Sequence, residues 1–309
     1  MSIIRTITRL LSGLRTAGNR SVTWMAPHQE GCVVCGKAFG QAQPAEVRSG
    51  GAPAAARLLN HSLCISCRSS IPWLERILCP ICGRGIHCED CGRRPNRHFV
   101  LNRSAVTYDP VMRSWLALYK YRGLERLAPL LAEMLVPPFL KLTEELAKAA
   151  PAAPSLPRNA GIHPFRIALH NRSLKNQPAN GIWDAVAFVP ISAERAEERG
   201  FNQAAELARY LSRRYGIPSY DLLVRAHHSE KMSFKSRAER MRVAKSLFEV
   251  NESSLKELEA LHADASRELR VLLIDDIYTT GSTVEACSEV LLRHACQPLK
   301  VYVLTWSRS

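Results

Sequence analysis

Two adjacent carboxylates, Asp275 and Asp276, follow the apolar run Val271-Leu272-Leu273-Ile274. After them comes a loop of hydroxyls around a single glycine, Thr279-Thr280-Gly281-Ser282-Thr283. A hydroxyl-rich loop opening a helix offers backbone N–H groups and a favourable dipole to a phosphate. The carboxylates repel that phosphate and suit sugar hydroxyls or a divalent cation instead. A phosphorylated ribose accompanied by Mg²⁺ meets all of these demands. No Lys follows Gly281, so the loop is not a Walker A motif.

Eight of the ten cysteines form four C-x-x-C pairs: Cys32/Cys35, Cys64/Cys67, Cys79/Cys82 and Cys88/Cys91. In a chain with no evident secretory leader this spacing reads as metal binding rather than disulfides. Two such turns close one tetrahedral thiolate site, so eight thiolates predict two structural Zn²⁺ ions. Sequential, crossed and nested pairings of the four turns all satisfy the count. The zinc module is expected to unfold on chelation while residues beyond about 100 are spared. Cys287 and Cys296 read as ordinary buried thiols.

These residues need elements to hold them. Strands are predicted at Phe99–Tyr108, Asp184–Pro190, Asp221–Val224, Lys245–Val250, Arg270–Ile274 and Lys300–Thr305. Helices are predicted from Pro110 to Tyr121, from beyond Gly123 to about Lys148, from Asn202 to Tyr215 and from Ser282 to Ala295. Strands alternating with helices imply an α/β fold with a parallel sheet. Open parallel sheets bind ligands outside the carboxyl ends of their strands, where Asp275 and Asp276 are expected. Residues 1–20 form a basic amphipathic segment able to meet a membrane surface or a partner. Residues 30–98 hold the cysteines and 99–309 the α/β domain, with a Pro-containing insertion at 149–182.

The Val271–Thr283 segment resembles the phosphoribosyl pyrophosphate (PRPP) motif of type I phosphoribosyltransferases. Between the second strand and its helix stands Val189-Pro190-Ile191-Ser192, then Arg195 and Arg199-Gly200-Phe201-Asn202-Gln203. This VP…RGFNQ run, with Leu118-Lys120-Gly123 at a helix end, is similar to the ComF family associated with bacterial competence. The resemblance implies a phosphoribosyltransferase-like domain preceded by a double zinc ribbon. It implies that Asp275 and Asp276 hold the ribose hydroxyls, that Thr279, Thr280, Gly281, Ser282 and Thr283 hold the 5′-phosphate, and that Arg195 and Arg199 hold the pyrophosphate. Arg225 to Lys245 takes the place of the flexible catalytic loop, with Lys235 joining Asp275, Asp276 and Arg199 in catalysis. It further implies single-stranded DNA and DNA-uptake proteins as partners. A non-catalytic nucleic-acid-binding or nucleotide-sensing module is the alternative on the same fold.

Composition agrees with a globular protein: 46% hydrophobic and 23% charged residues. No apolar run reaches membrane-spanning length, which predicts a cytoplasmic protein that can still touch the membrane's inner face. The net charge of +14 is unevenly placed, residues 183–309 being neutral and the excess lying before them. A basic half predicts a polyanionic partner. Arg93, Arg94, Arg97 and Arg103 are expected to form a basic track, with Tyr119 or Tyr121 stacking on bases.

Overall fold

The computed structural model describes residues 31–39, 54–94, 96–121, 125–149, 181–226, 247–262 and 267–309. Four parallel strands form the central sheet: β1 (Phe99–Thr107), β2 (Ala185–Phe188), β5 (Leu269–Tyr278) and β6 (Leu299–Arg308), in the order β1-β6-β5-β2. Two short strands, β3 (Leu223–Arg225) and β4 (Phe248–Val250), pair antiparallel with each other and stay outside that sheet. The alternation of strands and helices thus gives the expected parallel sheet, but β3 and β4 are not part of it.

Side chains alternate across the sheet, and each face has its own core. Val186, Phe188, Leu272, Ile274, Tyr302, Leu304 and Trp306 face one side, against α4 (Pro110–Tyr121), α5 (Ala128–Ala149) and α7 (Gln203–Tyr215). Ala185, Ala187, Val271, Leu273, Val301 and Val303 face the other, against α8 (Glu252–Ala260) and α9 (Ser282–His294). In α7 the buried positions Ala204, Leu207, Ala208, Leu211 and Tyr215 recur every three or four residues, as a helix on a sheet requires. Asn202 caps it through Ala204 and Ala205 N–H, and Gly216 ends it in the left-handed region.

The cysteine-rich segment is built into these cores. Its helices are α1 (Ala54–Ser62), α2 (Ile65–Ser69) and α3 (Glu89–Gly92). Cys32, Val33, Leu59, Leu63 and Ile71 join the α5 face, whereas Cys79 and Cys82 join the α9 face. The chain between them runs along β1, the edge strand. Leu74 N–H donates to Ala105 O (2.9 Å), Asn102 N–H to Ile81 O (2.7 Å) and Thr107 N–H to Pro72 O (3.0 Å). An exposed strand edge is thereby covered.

Two further differences from the sequence reading concern the site. A seven-residue helix, α6 (Ala193–Arg199), lies between the second strand and α7, where the sequence predicts no element. Its remaining residues besides two alanines are all charged, so it carries no apolar stripe for a periodicity reading to find. The strand read as Arg270–Ile274 continues to Tyr278, because β6 pairs with it as far as Tyr278↔Arg308.

Candidate functional site

The acidic pair sits where β5 is flanked on one side only. The β2 ladder ends at Phe188↔Ile274, while the β6 ladder continues through Asp275↔Thr305 to Tyr278↔Arg308. Beyond Ile274 one edge of β5 is therefore open, and a cleft of ≈ 290 Å³ lies there, lined by Asp275, Asp276 and Thr283. Asp276 N–H donates to Asp275 Oδ1 (2.8 Å). Burial, then the charge of Asp276, raises the Asp275 carboxyl to about 8, against the opposing pull of that hydrogen bond and of Lys120.

Four cations line the cleft with the pair: Lys120, Arg195, Arg199 and Arg225. Lys120, near the end of α4, forms an ion pair with Asp276, both side chains being less than a fifth exposed. Arg195 and Arg199 stand one turn apart on α6, whose N-cap Ser192 accepts from Arg195 N–H (3.4 Å). Arg199 Nη1 donates to Gln203 Oε1 (3.0 Å), and Gln203 O accepts from the buried Tyr119 hydroxyl (3.3 Å). Arg225 lies over the Phe248 ring, and burial together with the charge of Arg195 lowers its pKa. Such a ring of cations around two carboxylates suits a ligand with several anionic groups and neutral hydroxyls.

The hydroxyl loop has its own scaffold. Gly281 takes φ +79°, and a Cβ there would lie 2.2 Å from the Tyr278 hydroxyl. Tyr278 cannot yield easily, because its ring meets Phe99 edge-on and the Arg308 guanidinium at 4.6 Å. Arg308 Nη1 donates to the carbonyls of Tyr278 (3.1 Å) and Thr279 (2.9 Å), and Arg94 Nη1 to that of Thr280 (3.2 Å). With these carbonyls tied back, Thr280 and Ser282 share a hydroxyl contact of 3.0 Å at the start of α9. Only Thr283 of the loop lines the acidic cleft. Thr279, Thr280, Gly281 and Ser282 line an adjoining hollow of ≈ 390 Å³, shared with Arg94, His98 and Glu285. The loop is a wall between two hollows, which its sequence did not reveal.

Among the described residues the cysteines gather in two groups, Cys32/Cys35/Cys64/Cys67 and Cys79/Cys82/Cys88/Cys91, with sulfurs within 4.8 Å of one another. The pairing is sequential. Contacts of 3.7 Å join Cys35 to Cys64 and Cys82 to Cys88. Four sulfurs about 2.3 Å from a tetrahedral zinc lie about 3.8 Å apart, so each tetrad can hold one structural Zn²⁺. Burial and the neighbouring sulfurs push the Cys67 and Cys91 thiols up, while at Cys32 burial is outweighed by hydrogen bonds from Cys35, Cys64 and Val34 N–H, which lower that thiol. Gly83, after Cys82, takes φ +72°, and a Cβ there would lie 2.6 Å from the Asn102 carbonyl oxygen. Arg308 Nη2 reaches Cys82 Sγ at 3.7 Å, linking the second tetrad to the loop.

Asp275, Asp276, Arg195, Arg199 and Thr283 thus meet in one cleft. Lys235 and the rest of its basic loop after Ala226, the basic amphipathic segment at residues 1–20, Arg122, Gly123 and most of the 149–182 insertion lie outside the described residues. Three expectations fail. Cys296, read as a buried thiol, is exposed after the end of α9, whereas Cys287 is buried. Arg103 is only 6% exposed and pairs with Glu145 (3.0 Å), so it cannot belong to a surface track. Tyr119 is fully buried, so it cannot stack on a base. Lys120 had only its place at a basic helix end as a signal. Arg225, read as the first residue of the catalytic loop, instead ends β3 and lines the cleft from there.

No family model matches the chain. The chain is 29% identical over 242 residues to competence protein ComFC of Bacillus subtilis (strain 168), covering 75% of this chain and 79% of the relative. It is 24% identical over 246 residues to competence protein ComFC of Streptococcus pneumoniae (strain ATCC BAA-255 / R6), covering 78% and 86%. Competence protein F of Haemophilus influenzae (strain ATCC 51907 / DSM 11121 / KW20 / Rd) is 30% identical over 122 residues, covering 39% of this chain and about half (49%) of the relative. A solved structure titled as the allosteric regulatory enzyme of purine biosynthesis aligns with 39% of this chain and 21% of its own, at 17% identity and a TM-score of 0.24.

Proposed function

We propose that this chain, which belongs to the ComF family, binds Mg²⁺–PRPP and transfers its phosphoribosyl group in the service of competence and DNA uptake. The observation that carries this reading is the open edge of β5, where Asp275 and Asp276 share a cleft with four cations beside a hydroxyl loop. In the proposed complex the ribose hydroxyls bond to Asp275 and Asp276, and the 5′-phosphate lies at Thr279–Thr283. Arg195 and Arg199 hold the pyrophosphate, with Arg225 and Lys120 near enough to share its charge. Lys235 would act from the basic loop.

Mg²⁺, arriving with the pyrophosphate and able to reach the two carboxylates, would supply the charge neutralisation that the departing group needs. The chain's own task is positioning and electrostatic stabilisation as the ribose gains positive character. Asp275 enters this state protonated near neutral pH, so it can donate to a ribose oxygen while Asp276 accepts. No helix among the described residues is long and apolar enough to cross a membrane.

Calorimetry with Mg²⁺–PRPP tests the reading. Binding is expected in the parent, with a loss of about 1–3 kcal/mol in Asp275→Asn/Asp276→Asn, chiefly for the charged hydrogen bond of Asp276. Equal affinity of the double variant and the parent would remove the assignment. The second reading, a non-catalytic nucleic-acid or nucleotide-sensing module, is supported by the net charge of +14. It predicts ligand binding without release of pyrophosphate in the presence of any candidate acceptor.

A further inference from the structure

The four cations of the acidic cleft are not equivalent. Arg195 and Arg199 stand on α6, and Arg225 ends β3 over the Phe248 ring. Lys120 instead reaches across from the end of α4 and puts its ammonium on Asp276 Oδ2. The two side chains are 15% and 18% exposed, so the pair is largely shielded from bulk water, yet both residues line the cleft and a ligand there meets them.

This pair stands in the way of a ribose. The hydroxyls of the sugar need the oxygens of Asp276, and in the empty protein Lys120 holds one of them and neutralises the charge. Asp275 is no substitute. Burial, then the charge of Asp276, keeps its carboxyl protonated near neutral pH, so Asp276 is the stronger acceptor of the two. Lysine is suited to a contact that has to break. Its ammonium is a point charge on a flexible four-carbon stem, whereas an arginine would grip the carboxylate through a fixed fork. A pyrophosphate gathered by Arg195, Arg199 and Arg225 brings several anionic oxygens into the same cleft, and these compete with one carboxylate for the lysine.

We infer that Lys120 is a latch on the acidic pair: it occupies Asp276 in the empty protein, transfers to an incoming pyrophosphate, and thereby frees the carboxylate for the ribose hydroxyls only when a pyrophosphate is present. This role rests on the reading of the cleft as a PRPP site and makes Lys120 a specificity-determining residue of that site. Ribose 5-phosphate, which carries no pyrophosphate, cannot draw the lysine away and meets Asp276 still occupied. A ligand that binds only the unlatched arrangement loses affinity in proportion to how seldom the empty protein visits it. A pair that merely ties α4 to β5 behaves differently, because breaking it weakens the site for both ligands alike.

The test is calorimetry on the zinc-loaded full-length protein with Mg²⁺–PRPP and with ribose 5-phosphate. In Lys120→Met, ribose 5-phosphate should bind about tenfold tighter than in the parent, although a positive charge has been taken from the site of an anion. Mg²⁺–PRPP should bind about tenfold weaker, as expected for a lost hydrogen bond between charged groups. A second measurement needs no variant. Adding Mg²⁺–pyrophosphate to the parent should tighten ribose 5-phosphate binding severalfold, against the mutual repulsion of two anions. A variant that binds ribose 5-phosphate no tighter than the parent would overturn the latch while leaving the PRPP reading in place. So would a parent in which pyrophosphate leaves ribose 5-phosphate binding unchanged or weaker. A parent that binds neither Mg²⁺–PRPP nor Mg²⁺–pyrophosphate overturns the PRPP reading itself, and the latch with it.

Discussion

Gly281 shows how tightly one residue couples backbone and packing. Its left-handed φ is unfavourable for any L side chain, and the Tyr278 hydroxyl fills the space a Cβ would need. Gly281→Ala should therefore destabilise the protein by about 2–4 kcal/mol, combining backbone strain with overpacking. Urea unfolding measures this, and a loss under about 0.5 kcal/mol, the level of an ordinary surface substitution, would contradict the geometry. Asp275 gives a second test. Its folded pKa of about 8 exceeds the usual carboxylate value of about 3.9. Between those values the native state holds a proton that the unfolded chain has released. Stability from this group is thus full at low pH and falls as pH rises from about 4 to about 8. Asp275→Asn keeps the acceptor for Asp276 N–H and removes that loss. The variant should gain on the parent as pH rises from about 4 to about 8, reaching about 1–3 kcal/mol. A difference independent of pH would sink the assignment. Both residues were legible in the sequence, since the Asp-Asp-x-x-Thr-Thr-Gly-Ser-Thr spacing is local. The pairing of Lys120 with Asp276 was not, because it joins residues from α4 and β5 that only the folded sheet brings together.

At the scale of elements, the apolar patterns located most strands and helices, and missed what depends on neighbours. Strand β5 runs past its apolar segment because β6 is there to pair with it. The cysteine count predicted two sites, but the spacing alone left their pairing open and gave no hint that the tetrads lie against opposite faces of one sheet. The consequence is testable. A module with its own core would unfold alone on chelation. Here the segment between the tetrads covers the β1 edge, and Arg308 joins Cys82 to the carbonyls of Tyr278 and Thr279. Purified protein should carry two Zn²⁺ per chain by elemental analysis. Stripping them should increase hydrogen exchange at the amides of Leu74, Asn102 and Thr107 and in the Thr279–Ser282 loop, while β2 and α7 stay protected. Exchange confined to residues before 95 would restore the independent module and refute the coupling.

For the molecule as a whole, charge says less than the placement of charge. The basic excess lies before residue 183, yet the arginines after the second tetrad are largely used inside the fold. Arg103 is buried, Arg97 donates to the carbonyl of Cys91 (2.8 Å), and Arg94 supports Thr280. Arg93 remains exposed, in a surface pair with Glu89. Replacing all four would damage the structure as well as any grip on nucleic acid. The exposed cations described in the cysteine-rich part are instead Lys37, Arg68, Arg76 and Arg93. Tyr119 offers no ring for stacking, and the Tyr121 side chain lies outside the described residues; a grip on single-stranded DNA through these four cations would be electrostatic. Affinity should then fall steeply with salt, and changing these four residues to Gln should reduce the slope of log K against log salt by roughly 0.7 for each phosphate no longer neutralised. Mg²⁺–PRPP affinity should stay unchanged, because none of the four lines the acidic cleft. A fluorescence-anisotropy salt titration of a labelled single strand reads both slope and affinity. If the quadruple variant matches the parent in both, the positive charge of this face serves solubility. Any grip on DNA must then come from elsewhere in the chain.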